Sequence, residues 1–311
     1  KKLDVSWHTC RDLSNQQVVD FIQEKKIKIL IDMLGFTSPE RLQIFNSRVA
    51  PLQVSWLAYC NTVGFETIDY QFADKNLIYE NEKNLYSGDI LYLPNIWNSH
   101  SGFNFKRSLN KLPSSDNDKF VFGSLNNFRK ISDETIGAWS SILKKVKNSA
   151  LILKSSDYCN ENILLEKFDS NNVKDKIIIY DRSNYKNKED HLNLYKKIDL
   201  ALDTFPYNGV TTTFESLWMN VPVISIKGYN FNSRCGESIL KNSKIKGFLA
   251  DDVNKYIELA VYWSNNKEKL SLVREELYNN ILNSPLFDTK KFTKHFSDAL
   301  EKIYNSKNGC K

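Results

Sequence analysis

The sequence predicts an α/β chain of two doubly wound lobes with parallel sheets, the first lobe incomplete. Three observations predict it. Five short apolar runs punctuate residues 119–226, helical periodicities fill the gaps between them, and the first hundred residues repeat the alternation more faintly. Buried strands alternating with helices imply βαβ units, in which crossover helices cover both faces of a parallel sheet.

Taken in order, "SNQQVVDFIQEKK" predicts a helix opened by Ser14, with Gln17 three residues on to complete a capping box. "IKILID" (27–32) follows as a strand, "SPERLQIFNSR" (38–48) as a helix and "LQVSWLAY" (52–59) as a second strand. "TIDYQFAD" and "DILYLP" add two short strands, too few βα units for a complete lobe, so this part reads as the second half of one. Ser, Asn, Lys and Pro dominate 98–118, which reads as a linker. Strands are then expected at 119–124, 150–154, 176–180, 199–203 and 221–226. Between the first two, Ile136, Trp139, Ile142, Leu143 and Val146 recur at helical spacing behind Ser132. The tail from 253 to 306 is helical. The expected domains are 1–100, the C-terminal part of the first lobe, a linker at 101–118, a Rossmann-like ligand-binding lobe at 119–286 and a C-terminal helix at 287–311 that packs back.

With 311 residues, 41% hydrophobic and 26% charged, the chain can bury a sizeable core. No apolar run approaches the ~18 residues of a membrane span. The net charge of +6 is scattered among Asp, Glu and Asn rather than gathered on one element, which argues against a nucleic-acid partner. Cys10, Cys60, Cys159, Cys235 and Cys310 are odd in number and lack a CxxC pair, so neither a disulfide framework nor a zinc site is expected. A reducing, cytoplasmic setting follows. The first residue is Lys1, not Met, and no signal pattern follows it, so the chain is expected to be cut from something longer.

The stretch "DTFPYNGVTTTFESLWMNVPVIS" (203–225) carries the most chemistry. A strand ends at Asp203, the chain turns at Pro206 and Gly209, and a helix begins near Thr211 with Phe214, Leu217 and Trp218 inward. A helix N-terminus offers free N–H groups and partial positive charge, which favour an anion. Thr211 and Thr212 add hydroxyl donors, and a diphosphate is the natural guest. Thr212 and Glu215 also have capping-box spacing, which would satisfy the same N–H groups without a ligand. In "VFGSLNNFRKIS", Asn126, Asn127, Arg129 and Lys130 follow a strand, as phosphate donors or as an ordinary surface loop. His191 falls in the first turn of a helix, either functional or simply solvated or packed on Tyr195. No Walker loop, nucleophile elbow, HExxH or GxGxxG is present.

"FGSLNNFRKISDETIGAWSSILKKVKNSALIL", "IDLALDTFPYNGVTTTFESLWMNVPVIS", "NSRCGESIL" and "LIDMLGFTSPERLQIFNSRVAPLQVSWLAYCNTVGFETIDYQFAD" together resemble the catalytic region of the O-GlcNAc transferases and their SPINDLY-type relatives. The motifs occur in family order and cover nearly the whole chain. The resemblance implies a GT-B type glycosyltransferase, inverting and metal-independent, needing no cofactor. It would take a nucleoside diphosphate sugar as donor and a protein Ser or Thr hydroxyl as acceptor. "NSRCGES" looks more like the branch that uses UDP-GlcNAc than the fucose-using one.

By the same resemblance, Asn127 matches a donor-contacting residue and Lys130 the lysine on the diphosphate, with a catalytic role. Lys188 and His191 match residues around the nucleoside, Thr211 and Thr212 a hydroxyl pair on the phosphates, and Glu215 an acid on the ribose. Leu57 and Ala58 stand at a Leu-Gly step near the sugar, and Tyr207 faces the same site. The chain departs from the family at "AYCNT" (58–62), where "GYPGT" is usual, and at Val210, where animal members have His. The family's catalytic histidines and acceptor-selecting tetratricopeptide repeats are expected upstream of Lys1. The alternatives are a GT-B-fold nucleotide-sugar epimerase and a non-catalytic nucleotide-sugar binding module.

Overall fold

The structure, a computed structural model, describes residues 5–155, 160–181 and 185–307; Cys159 and Cys310 lie outside them. The chain divides into two compact units, one of residues 1–97 with 294–311 and one of residues 98–293.

The first unit runs α1 (Asn15–Glu24), β1 (Ile29–Asp32), β2 (Leu52–Ser55), β3 (Tyr70–Ala73) and β4 (Asp89–Tyr92), and takes in most of α10 (Thr289–Lys307). Its four strands pair in chain order and all in parallel. Ser14 caps α1 as its spacing predicts: its hydroxyl accepts the Gln17 N–H at 3.2 Å and the Gln17 side chain accepts the Ser14 N–H at 2.8 Å. One face of α1 buries Val18 and Ile22 against Leu42, Ile44, Phe45, Val49, Val63 and Ile68. Two expectations are corrected. The helix expected over 38–48 is a 3-10 helix over Pro39–Asn46, whose buried Leu42, Ile44 and Phe45 do not follow the 3.6-residue period. The strand expected over 52–59 stops at Ser55, because Leu57 takes φ 94° and turns the chain.

The second unit runs α2 (Ser114–Asn117), β5 (Phe120–Ser124), α3 (Asp133–Lys145), β6 (Ser149–Lys154), α4 (Glu161–Ser170), β7 (Ile177–Tyr180) and α5 (Lys188–Leu194). It continues through β8 (Leu200–Leu202), α6 (Thr211–Trp218), β9 (Val223–Ile226), α7 (Phe231–Ser243), β10 (Leu249–Ala250), α8 (Val253–Asn265) and α9 (Lys267–Asn280). Ser132 caps α3, acids open that helix and Lys144 and Lys145 close it, in keeping with its dipole. The six strands are parallel, in the order β10-β9-β8-β5-β6-β7. The chain winds outward from β5 to β7, returns to lay β8 beside β5, and winds outward the other way. Strand order therefore reverses between β5 and β8, and a doubly wound sheet leaves its ligand crevice beyond the carboxyl ends of those two strands.

Residues 101–118, read from composition as a linker, are part of this unit. Arg107 holds them to it, donating to the carbonyl oxygens of Trp218 at 2.8 Å, Tyr278 at 3.0 Å and Leu277 at 3.2 Å, and to the Asn220 side chain.

Candidate active site

Two loops leave the reversal point. The loop after β5 carries Asn126 to Lys130, and the loop after β8 carries Asp203 to Val210. Asp203 joins them. Its buried carboxylate accepts the N–H groups of Gly209 at 2.7 Å and Thr204 at 2.9 Å, the Ser225 hydroxyl at 2.7 Å and the Asn126 amide at 3.3 Å. Burial pushes Asp203 up to about 6, while the Gly209 N–H, the Ser225 hydroxyl and the Lys130 charge pull the other way. A line of hydrogen bonds holds this point from behind: Trp139 Nε1 donates to the Tyr256 hydroxyl at 3.0 Å, which donates to the Asp203 carbonyl at 2.8 Å.

Lys130 reaches from the first loop to the second. Its Nζ donates to the Asn208 carbonyl at 2.7 Å and stands 4.0 Å from the centre of the Tyr207 ring. Asn127 caps the short 3-10 turn Phe128–Lys130 by accepting the Arg129 N–H at 3.0 Å, so its side chain helps to fix the turn that carries the lysine. Gly209 is required here by close approach. A Cβ would stand 2.3 Å from Thr212 Oγ1 and 2.5 Å from Asn126 Oδ1.

No side chain caps α6, whose N-cap position is Val210. The capping-box reading of Thr212 and Glu215 is thereby corrected. Thr212 lies inside the helix and its hydroxyl donates to Asn126 Oδ1 at 2.5 Å, while Thr213 Oγ1 donates to the Gly209 carbonyl at 3.0 Å. Thr211 is exposed at the first position. The helix start is left facing the crevice with its N–H groups uncapped by side chains. A small cavity at the reversal point is lined by Ser124, Asn126, Asp203, Thr212, Thr213 and Ser216.

Glu215, one turn further along α6, faces α5 instead. Its carboxylate is buried and fully engaged: Oε1 pairs with Lys188, Oε2 accepts His191 Nε2 at 2.8 Å, and the Tyr195 hydroxyl lies 3.2 Å from Oε2. Burial raises its proton affinity, yet His191 and then Lys188 outweigh this and bring Glu215 below its ordinary range. Tyr195 is driven far above its ordinary value by burial and by Glu215. With Nε2–H given to the carboxylate, His191 Nδ1 is buried and has no hydrogen-bond partner. His191 is thus buried and hydrogen-bonded to Glu215, not merely packed on Tyr195.

The structure brings Asn127, Lys130, Tyr207, Thr211 and Thr212 onto the two loops and the helix start, and Lys188, His191 and Glu215 into one cluster. Leu57 and Ala58 are residues of the first unit, on the turn after β2. Asp203 and Asn208 were not singled out as site residues by sequence; an acid ending an apolar strand was the visible signal for Asp203, and Asn208 had none. His100 and Phe103, which stack at 4.2 Å beside Lys188, were hidden in a stretch whose composition reads as a linker. Among the described residues no group of three or more His, Cys, Asp or Glu could hold a metal ion, and no helix is long and apolar enough to cross a membrane.

The sequence model of glycosyl transferase family 41 matches residues 3–104 and 105–296. The chain belongs to this family. Among curated relatives, the Solanum lycopersicum protein named probable UDP-N-acetylglucosamine–peptide N-acetylglucosaminyltransferase SPINDLY is 31% identical over 306 residues, 96% of this chain and 32% of its own length. The Arabidopsis thaliana protein of the same activity name called SEC is 30% identical over 305 residues, 94% of this chain and 31% of its own. The chain spans about a third of the relatives it matches. An O-GlcNAc transferase mutant from Thermobaculum terrenum superposes with a TM-score of 0.85 at 24% identity, covering 97% of this chain and 57% of that one. S. aureus TarM, solved in a complex that includes UDP, gives 0.60 at 12% identity over 90% and 57%. These likenesses show the fold, which is the GT-B type.

Proposed function

We propose that this chain is the donor-binding and catalytic region of an enzyme that moves GlcNAc from UDP-GlcNAc to Ser or Thr hydroxyls of proteins. Transfer is with inversion and without a metal ion, in a cytoplasmic setting. The observation that carries the reading is the reversal point itself: a lysine from one loop and an uncapped helix start from the other meet at the carboxyl ends of β5 and β8. Breaking the sugar–phosphate bond sends its electron pair to the diphosphate, so negative charge grows on the leaving group. The Lys130 ammonium, the hydroxyls of Thr211 and Thr212 and the partial charge of α6 supply fixed positive potential for it, the role a preorganised oxyanion site plays elsewhere. The attacking hydroxyl approaches from the opposite side and gives its proton to a general base.

Lys188, His191 and Glu215 form the nucleoside end, where a carboxylate held ionised suits ribose hydroxyls and the bare Nδ1 of His191 can accept a donor from a base. The acceptor-selecting repeats belong to the longer protein in this reading. Calorimetric titration with UDP and GDP tests it directly. UDP is expected to bind more tightly, and Lys130→Ala to weaken it roughly tenfold or more while leaving the chain folded. Unchanged affinity in that variant would remove Lys130 from the phosphate site. Glycosyl-transfer and donor-hydrolysis assays on the longer protein then separate a transferase from an epimerase or a module that only binds.

A further inference from the structure

Residues 99–107 form a strap on the second unit with a fixed path. Ser99 Oγ and the His100 N–H both donate to the Leu286 carbonyl at 2.9 Å. His100 Nδ1 accepts the Gly102 N–H at 3.0 Å, which folds the chain back on itself. Gly102 takes φ 92° and lies so close to Trp218 that a Cβ would stand 2.6 Å from the indole. Arg107 anchors the far end. The path delivers one side chain to a defined place. Phe103 stacks on His100 at 4.2 Å, meets the edge of Trp218 at 5.6 Å, and lies under Lys188 Nζ, 5.1 Å from its ring centre.

Lys188 needs such a neighbour. Its side chain is 53% exposed, whereas its partner Glu215 is 3% exposed. A long cation half in water gives up rotamer freedom when it settles on a single carboxylate, so a lone partner holds it loosely. An aromatic face beside the carboxylate narrows that freedom through cation–π attraction.

We propose that Phe103 is a positioning residue for the nucleoside end of the donor site: its ring keeps the Lys188 ammonium on Glu215, and through Glu215 fixes the orientation of His191. This rests on the donor-site reading proposed for the chain. It also accounts for the fixed path of the strap, which sets the geometry of the site it borders.

The test compares Phe103→Leu, which keeps apolar bulk but removes the π face, with Phe103→Tyr, which keeps it. Melting temperatures first confirm that both variants fold. UDP and inorganic pyrophosphate are then titrated into each. Phe103→Leu is expected to weaken UDP about fivefold and leave pyrophosphate unchanged, and Phe103→Tyr to bind both as the parent does. Equal UDP affinity in the parent and Phe103→Leu overturns the proposal, as does an equal loss for UDP and pyrophosphate, or Phe103→Tyr behaving as Phe103→Leu does. A parent chain that binds neither ligand overturns the donor-site reading itself and this proposal with it, a result distinct from parent-like binding by Phe103→Leu.

Discussion

Asp203 shows how much one buried acid can organise. It ends β8, ties both loops at the reversal point, and titrates near 6 because burial disfavours its charge. The sign of the consequence follows. A carboxyl whose folded value lies above its unfolded value near 3.8 is held protonated more firmly by the folded chain between about 4 and 6. Its contribution to stability is full below that window, falls as pH rises through it, and levels off above, a total of roughly 3 kcal/mol. Asp203→Asn should remove that slope, seen as the difference between parent and variant in urea denaturation from pH 4 to 7. Parallel curves would exclude Asp203 as its source. Glu215 works in the opposite sense: its ionised form is favoured by His191 and Lys188, so its contribution is lost as pH falls through its lowered value. At this scale the sequence was legible where position along the chain was enough, as with Lys130 shortly beyond the apolar run that becomes β5. It was silent where partners are far apart, as with Asn126 and Thr212, which lie 86 residues apart and meet through their side chains.

At the scale of elements, the two sides of the crevice depend on a close approach that only glycine allows. Gly209→Ala would drive a methyl group into Thr212 and Asn126, forcing the loops after β5 and β8 apart. We expect a loss of about 1–3 kcal/mol, the usual cost of overpacking, together with loss of UDP binding. Thermal melts and titration check the pair, and an unchanged variant would show that the contact yields without moving the site. Elements with strong local signals were legible. The capping box of α1 and the apolar stripe of α3 stand in the sequence much as they stand in the structure. Weak signals misled for physical reasons. Proline followed by closely spaced apolar residues at 42, 44 and 45 gives a 3-10 helix, and β10 is too short, at two residues, to make an apolar run. The strap at 99–107 has the composition of a connector, yet its order comes from carbonyl groups of other segments, which no local pattern records.

At the scale of the whole chain, alternation of strand and helix was enough to fix the fold class, but not the order of strands. Apolar runs say that strands are buried; they do not say that β8 lies against β5, which decides where the crevice opens. The chain's last helix is expected to pack back, but the sequence does not say that it joins the first unit. There Phe296 of α10 packs on Trp56 at 4.3 Å and stacks on Phe72 at 4.5 Å, and Lys307 pairs with Asp69 at 2.5 Å. Phe296→Ala should cost about 2 kcal/mol, less than a fully buried phenylalanine because the ring is only half-buried. Calorimetry would show the first unit melting earlier, and an unaltered trace would mean that the ring contacts contribute little.

The saturation of Glu215 has one more consequence. Because both oxygens already have partners, and Lys188 among them rests on the Phe103 ring, a ribose hydroxyl meets a carboxylate whose direction is fixed before it arrives. Little rearrangement is needed at this end, so selectivity there comes from which molecule fits the carboxylate as it already stands.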